Sequence, residues 1–170
     1  MEFKKLFLEK KLPSFLGLCF LLFFFRYIPH PPNFTPVIAF GIYIPLIFGF
    51  WSIPFFILGY AITDFFIGFH SVLFFTWGTV IFISLISKFF ASTILSRLAG
   101  GIVGAILFFI ITNFGVWTNG SYGYTLSGLM SCYIFALPFF GNTLISTIFY
   151  STIIETVLRF SLIKKLIKFN

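Results

Sequence analysis

The 170-residue chain is 59% hydrophobic and 24% aromatic, with 30 Phe, and only 9% of its residues are charged. A soluble domain carries about 25% charged residues, so this composition excludes a soluble fold and indicates an integral membrane protein. The net charge of +7 sits in terminal and loop clusters beside apolar runs, so it reads as membrane topology and not as a nucleic-acid footprint.

In chain order, Met1 to Leu12 holds Lys4, Lys5, Lys10 and Lys11 ahead of the apolar run Phe15 to Phe25. This resembles the basic region of a signal peptide, but no small-x-small cleavage site follows, so the first span is expected to be retained. That span covers residues 13–28. Pro13 suits the first helical turn, Ser14 adds a start signal, and Arg26 at the far end can snorkel to the surface.

The stretch Arg26 to Pro36 then places Pro29, Pro31, Pro32 and Pro36 within a few residues. Proline lacks the amide donor and pushes the preceding residue out of the helical region, so a stiff loop ends one apolar segment and begins another. It carries Arg26, His30, Asn33 and Thr35, and reads as one wall of a ligand site.

A second span, 37–50, contains Pro45 and should be kinked; a third, 54–69, contains Asp64, the only acid between Glu9 and Glu155. An aspartate near the middle of a span is disfavoured by roughly 2.5 to 3.5 kcal/mol, so Asp64 should face the bundle interior and be partnered or protonated. A fourth span, 72–88, ends at Lys88, and Arg97 closes the loop after it.

From Leu98 to Ile154 no residue is ionised, and charge decides how this length is divided. With spans at 99–117 and 143–163, and 125–140 re-entrant or interfacial, the chain is one integral membrane domain, an all-α bundle of six transmembrane helices over 1–170. Both termini are then cytoplasmic, ten of the eleven Lys and Arg share that side, and Arg26 alone lies outside. A seventh span would carry Arg159, Lys164, Lys165 and Lys168 across the membrane against the positive-inside tendency. Spans of about 16 to 18 residues reach roughly 24 to 27 Å, a little short of the ~30 Å hydrocarbon core.

This topology gathers the scarce polar groups at the outer end. Arg26, His30, Asn33, Asp64, Asn113 and Trp117 are the candidate ligand-binding residues, because polar groups at membrane depth need a reason. Trp117 and Tyr122 also suit an interfacial aromatic belt. Gly100 and Gly104 form a Gly-x-x-x-Gly pattern read as helix packing, and Glu155 and Arg159 are spaced to pair on one helix face. Cys19 and Cys132 have neither metal-site spacing nor companions, so no disulfide, metal or cofactor is expected. There is no Gly-x-Ser-x-Gly, no His-Glu-x-x-His and no carboxylate pair, so no catalytic residue and no enzyme is expected.

The segments His30-Pro-Pro-Asn-Phe-Thr-Pro36, Leu58-Gly-Tyr-Ala-Ile-Thr-Asp64 with Gly68, Ile111-Thr-Asn-Phe-Gly-Val-Trp117 and Pro138-Phe-Phe-Gly-Asn142 resemble an uncharacterised family of bacterial inner-membrane proteins. That family in turn is similar to the S components of energy-coupling factor (ECF) transporters, six-helix binders of vitamins and metals. The resemblance implies a multi-pass protein of the inner membrane that binds a small polar solute from the outer face. It also implies a membrane-embedded T protein and ATPase subunits as partners, besides the lipid bilayer, and no nucleic acid. Two features depart from the pattern: Asn142 stands where an Asp is usual, and Ser14, Gly17 and Cys19 do not make the usual small-residue docking face. The alternative function is a membrane scaffold or assembly protein without transport activity.

Overall fold

The computed structural model describes residues 12–160, and the described chain is all-α. Its helices are α1 (Leu12–Tyr27), α2 (Val37–Phe48), α3 (Ile53–Ile67), α4 (Leu73–Ile86), α5 (Ile94–Thr118) and α6 (Leu126–Phe160). Short 3-10 turns at Phe50–Ser52 and Ser87–Phe90 precede α3 and follow α4. With those turns included, four segments among the described residues are long and apolar enough to cross a membrane: Phe50–Ile67, Leu73–Phe90, Ile94–Thr118 and Leu126–Arg159. The helices α1 and α2 are shorter and apolar. This is the character of a membrane protein. The expected lysines of both termini, and the last residues of the expected span 143–163, lie outside the described residues.

The organising element is α2, whose sequence Val-Ile-Ala-Phe-Gly-Ile-Tyr-Ile-Pro-Leu-Ile-Phe is apolar all round. A helix without a polar face must be buried, and ten of its 12 residues are. It is short because Pro45 cannot continue the amide ladder and Gly49, at φ +97°, closes the helix by donating to the Pro45 carbonyl at 2.8 Å. Around it the others form an arc: α1 packs on α3, α3 on α4, α4 on α5 and α5 on α6, while α2 touches α3, α4, α5 and α6. At the open side of the arc α1 and α6 approach through Phe25 and Tyr150, whose ring centroids are 5.3 Å apart.

Three expectations are corrected. Residues 125–140 are neither re-entrant nor a separate interfacial piece: they are the first half of α6, a continuous helix of 35 residues, about 52 Å long. Pro138 lies inside it without ending it. What holds this half upright is α5, since Tyr133 donates to the Ile110 carbonyl at 2.6 Å and Phe109 packs on Phe140 at 4.8 Å. Next, α5 begins five residues before the expected 99. Thr93 caps it by accepting from the Ser96 amide at 3.0 Å, and Arg97 in its first turn is buried because Glu155 neutralises it. Finally, Glu155 pairs with Arg97 of another helix instead of closing a ring with Arg159. Its Oε1 and Oε2 accept from Arg97 Nε and Nη2 at 2.5 and 2.9 Å, and Oε1 also accepts from the Tyr43 hydroxyl at 2.8 Å. One buried carboxylate thus ties α2, α5 and α6 together.

The Gly-x-x-x-Gly pattern packs within the bundle. A Cβ on Gly104 would meet Ile38 at 3.0 Å and Ile83 at 3.2 Å, and one on Gly100 would meet the Phe90 ring at 2.7 Å. These glycines let the α5 backbone seat directly on side chains of α2, α4 and the turn after α4.

Candidate ligand-binding site

Arg26 sits in the last turn of α1, and its side chain turns inward. Instead of snorkelling it is 12% exposed, with Nη2 donating to Asp64 Oδ1 at 2.6 Å. Nη1 reaches the Thr63 hydroxyl and the Tyr60 carbonyl, and the guanidinium lies 4.5 Å from the centre of the Tyr60 ring. Asp64, 1% exposed, has its other oxygen occupied by the Trp77 indole N–H at 2.6 Å. The acid therefore has its interior position and its partners. It serves α1, α3 and α4 at once, which is what repays the burial of a carboxylate.

Beyond this pair opens a cleft of about 440 Å3, within the usual range for small-molecule sites of roughly 300 to 1,000 Å3. Arg26, Asn33, His70 and Asn113 line it, with Thr76, Thr112 and Thr143 and a wall of aromatic rings that includes Tyr60, Phe108 and Phe109. Pro32 and Tyr122 place both the proline-rich loop and the Thr118 to Gly123 loop at its margin. A smaller chamber of about 150 Å3 adjoins it, sharing Arg26, Asn33 and Tyr60 and adding His30 and Thr35.

The hydrogen bonds already made determine what the cleft offers. Thr76, Thr112 and Thr143 spend their protons on the carbonyls of Leu73, Phe108 and Phe139, so they present only acceptor lone pairs. Asn113 donates once to the Phe109 carbonyl at 2.7 Å, which leaves Oδ1 and one N–H uncommitted. Arg26 keeps two of its five donors, but its charge is cancelled by Asp64. The cleft is thus polar, with the one guanidinium that lines it paired to a carboxylate.

The loop over the cleft is pinned. Asn33 adopts a left-handed φ of +62°, the Phe34 amide donates to the Pro31 carbonyl at 2.9 Å, and Asn142 of α6 donates to the Pro32 carbonyl at 3.0 Å. His30 folds back with Nδ1 2.8 Å from the Pro31 carbonyl and Nε2 3.3 Å from that of Arg26. On the other margin Asn119 donates to Ser71 at 2.8 Å.

Residues 8–167 match a family of unknown function, DUF6580. The chain belongs to that family. No curated protein and no solved structure matches it. In this DUF6580 chain, four of the six expected site residues, Arg26, His30, Asn33 and Asn113, line the cleft or its side chamber. Asp64 stands behind Arg26 and lines neither. Trp117 is turned away, donating to the Gly123 carbonyl at 3.0 Å and packing its ring tilted on Phe114 and edge-on to Tyr124. Among the described residues no group of His, Cys, Asp and Glu is placed to hold a metal.

Sequence reasoning missed Tyr60 and Trp77. Tyr60 precedes Asp64 by one helical turn, a spacing from which a shared face can be read. Trp77 reaches Asp64 from the next helix, and no local pattern announces that.

Proposed function

We propose that the protein is a six-span membrane protein that binds a small, neutral, hydrogen-bonding solute in the cleft beneath the proline-rich loop, in the manner of an ECF S component. The observation that carries this reading is the cleft itself: Arg26 from α1, Asn113 from α5 and Asn33 from the loop converge on one volume with uncommitted donors and acceptors. In a sequence so poor in polar residues, such convergence at one end of an apolar bundle favours a recognition site. The aromatic walls suit a solute with a flat or apolar body. Four prolines in the loop lower the entropy lost on closing over it.

Native mass spectrometry and thermal-shift screening of the purified protein against neutral amide- and hydroxyl-bearing metabolites test the reading. A ligand should emerge that binds Asn113→Leu and Arg26→Ala more weakly and Asn119→Ala unchanged. A ligand indifferent to both of the first two substitutions refutes it. An ATP-driven importer is the assembly this reading implies, with a T protein and ATPase subunits as partners; their co-purification with the tagged protein tests that step. For the topology, a reporter fused after Asn170 should be active only in the cytoplasm.

The scaffold reading is the alternative, and one observation favours it: Asp64 is saturated by Arg26 and Trp77, as a purely architectural acid would be. Failure of every solute in the screen, with intact fold, turns the balance to it.

A further inference from the structure

The protic side chains on the helical walls of the cleft all turn their protons away from it. Thr112 on α5 and Thr143 on α6, each more than nine-tenths buried, donate to the main-chain carbonyls of Phe108 and Phe139 at 2.6 and 2.9 Å. The buried Cys132 thiol does the same to the main-chain carbonyl of Asn113 at 3.4 Å. A hydroxyl that has committed its proton to its own helix can only accept. Thr76 follows the same rule through Leu73, but it also hydrogen-bonds with the Tyr60 hydroxyl. Thr112 and Thr143 are therefore the two hydroxyl oxygens left to a donor that enters the cleft.

Asn113 supplies the other half of the pattern. Its bond to the Phe109 carbonyl at 2.7 Å calls for Nδ2 on that side, which fixes how the amide is turned. Oδ1 and the second N–H remain, an acceptor and a donor on one flat group. From α1, Arg26 adds its two uncommitted N–H donors. A solute that satisfies these groups needs two N–H donors, for Thr112, Thr143 and Asn113 Oδ1, and one acceptor, for Asn113 and Arg26. An ester or ketone brings no donor, an alcohol only one, and a carboxylate none. An ammonium brings donors without an acceptor, and places a second cation beside the guanidinium. A primary carboxamide holds two donors and an acceptor in one planar, neutral group, and it is the complement of Asn113 itself. The rings of Phe108, Phe139 and Phe140 in the same lining suit the flat body that would carry it.

We infer that the cleft selects a flat solute presenting a primary carboxamide, its two N–H groups accepted by Asn113 Oδ1 and the hydroxyl oxygens of Thr112 and Thr143, its carbonyl held by Asn113 and Arg26. This rests on the reading of the cleft as a solute site and deepens it. It makes Thr112 and Thr143 determinants of specificity, a role in which the hydroxyl oxygen matters and the shape of the side chain does not.

The experiment is a ligand-observed NMR titration of the full chain, purified in a mild detergent, with protein-free micelles as the blank. The probes are benzamide, N-methylbenzamide and N,N-dimethylbenzamide, which keep the ring and the carbonyl and lose one N–H at a time. In the wild type each lost N–H should weaken binding roughly fivefold. Thr112→Val and Thr143→Val keep the shape and remove the oxygen. Each should weaken benzamide roughly fivefold and leave N,N-dimethylbenzamide unchanged. Thr112→Ser restores the oxygen and should bind benzamide as the wild type does. Thr152→Val is the control: Thr152 is exposed on α6, lies outside the cleft lining and donates to the Ile148 carbonyl in the same way, so its loss should change nothing. Equal binding of the three probes, or benzamide affinity untouched in both valine variants, overturns the inference. The solute-site reading then still stands on the metabolite screen and Asn113→Leu. Absence of benzamide binding also overturns the inference, and the same screen judges the broader reading separately. If one valine variant fails to fold, the probe series on the wild type and the other valine variant decides.

Discussion

Among the described residues two ion pairs hold this bundle, and they are built differently. At one end Arg97 and Glu155 form a two-pronged contact with Tyr43 as a third member, all of it buried and none of it facing the polar cleft. At the other end Arg26 meets Asp64 through one nitrogen, spreads its remaining bonds over Thr63 and Tyr60, and still lines the cleft. The Arg97–Glu155 pair uses both carboxylate oxygens to join three helices and lines no part of the cleft. The Arg26–Asp64 pair joins three helices as well, but its arginine keeps donors at the edge of a cavity. Difference in saturation, more than difference in charge, separates an architectural ion pair from one placed at a site.

The sharpest way to break the comparison is at the Arg97–Glu155 pair. Glu155→Ala strands the buried Arg97 and the Tyr43 hydroxyl, and removing one partner of a buried pair costs about 3 to 5 kcal/mol. The purified variant should lose most of its thermal stability in detergent, followed by circular dichroism, or fail to accumulate.

Asp64→Asn should cost less, on the order of 1.5 to 3 kcal/mol, because Arg26 keeps Thr63, Tyr60 and access to the cleft. It should also change what the cleft binds. With the cancelling charge gone, sulfate should raise the melting temperature of the variant and not that of the wild type. A wild type stabilised equally by sulfate would show that Asp64 does not neutralise the site.

Asn113→Leu removes the uncommitted amide without touching either pair. Its melting temperature should stay within a degree or two of the wild type, while a cleft ligand should bind roughly tenfold more weakly by titration. Smaller still is Asn142→Ala, which frees the Pro32 carbonyl and one tether of the loop. About 1 kcal/mol of loop anchoring is at stake, and faster amide hydrogen exchange at Asn33 to Thr35, with little change elsewhere, is the expected reading.

Much of the fold is legible from residue types, and the reasons are local. The all-apolar α2, the proline-rich break before it and the Gly49 stop after it are consequences of side-chain polarity and backbone geometry that a linear chain already contains. So is the isolation of Asp64 among apolar neighbours, from which an interior place with a partner follows. The same locality explains the failure at 125–140. Its division from 143–163 rested on where the cations fall, and charge says nothing of a stretch that carries none; that these residues run on as one helix comes with packing along α5, a contact between residues far apart in sequence.

The apolar, helical character and the proline-rich loop between α1 and α2 were settled by the sequence alone, because solvation and backbone sterics act residue by residue. Which acid meets which base was settled only in three dimensions. Glu155 had Arg159 one turn away and chose Arg97 across the bundle, and Arg26 had the surface within reach and turned to Asp64. In an apolar interior an ion pair persists where its hydrogen bonds are completed and water is shut out, and that depends on how the helices pack and not on how the charges are spaced along the chain.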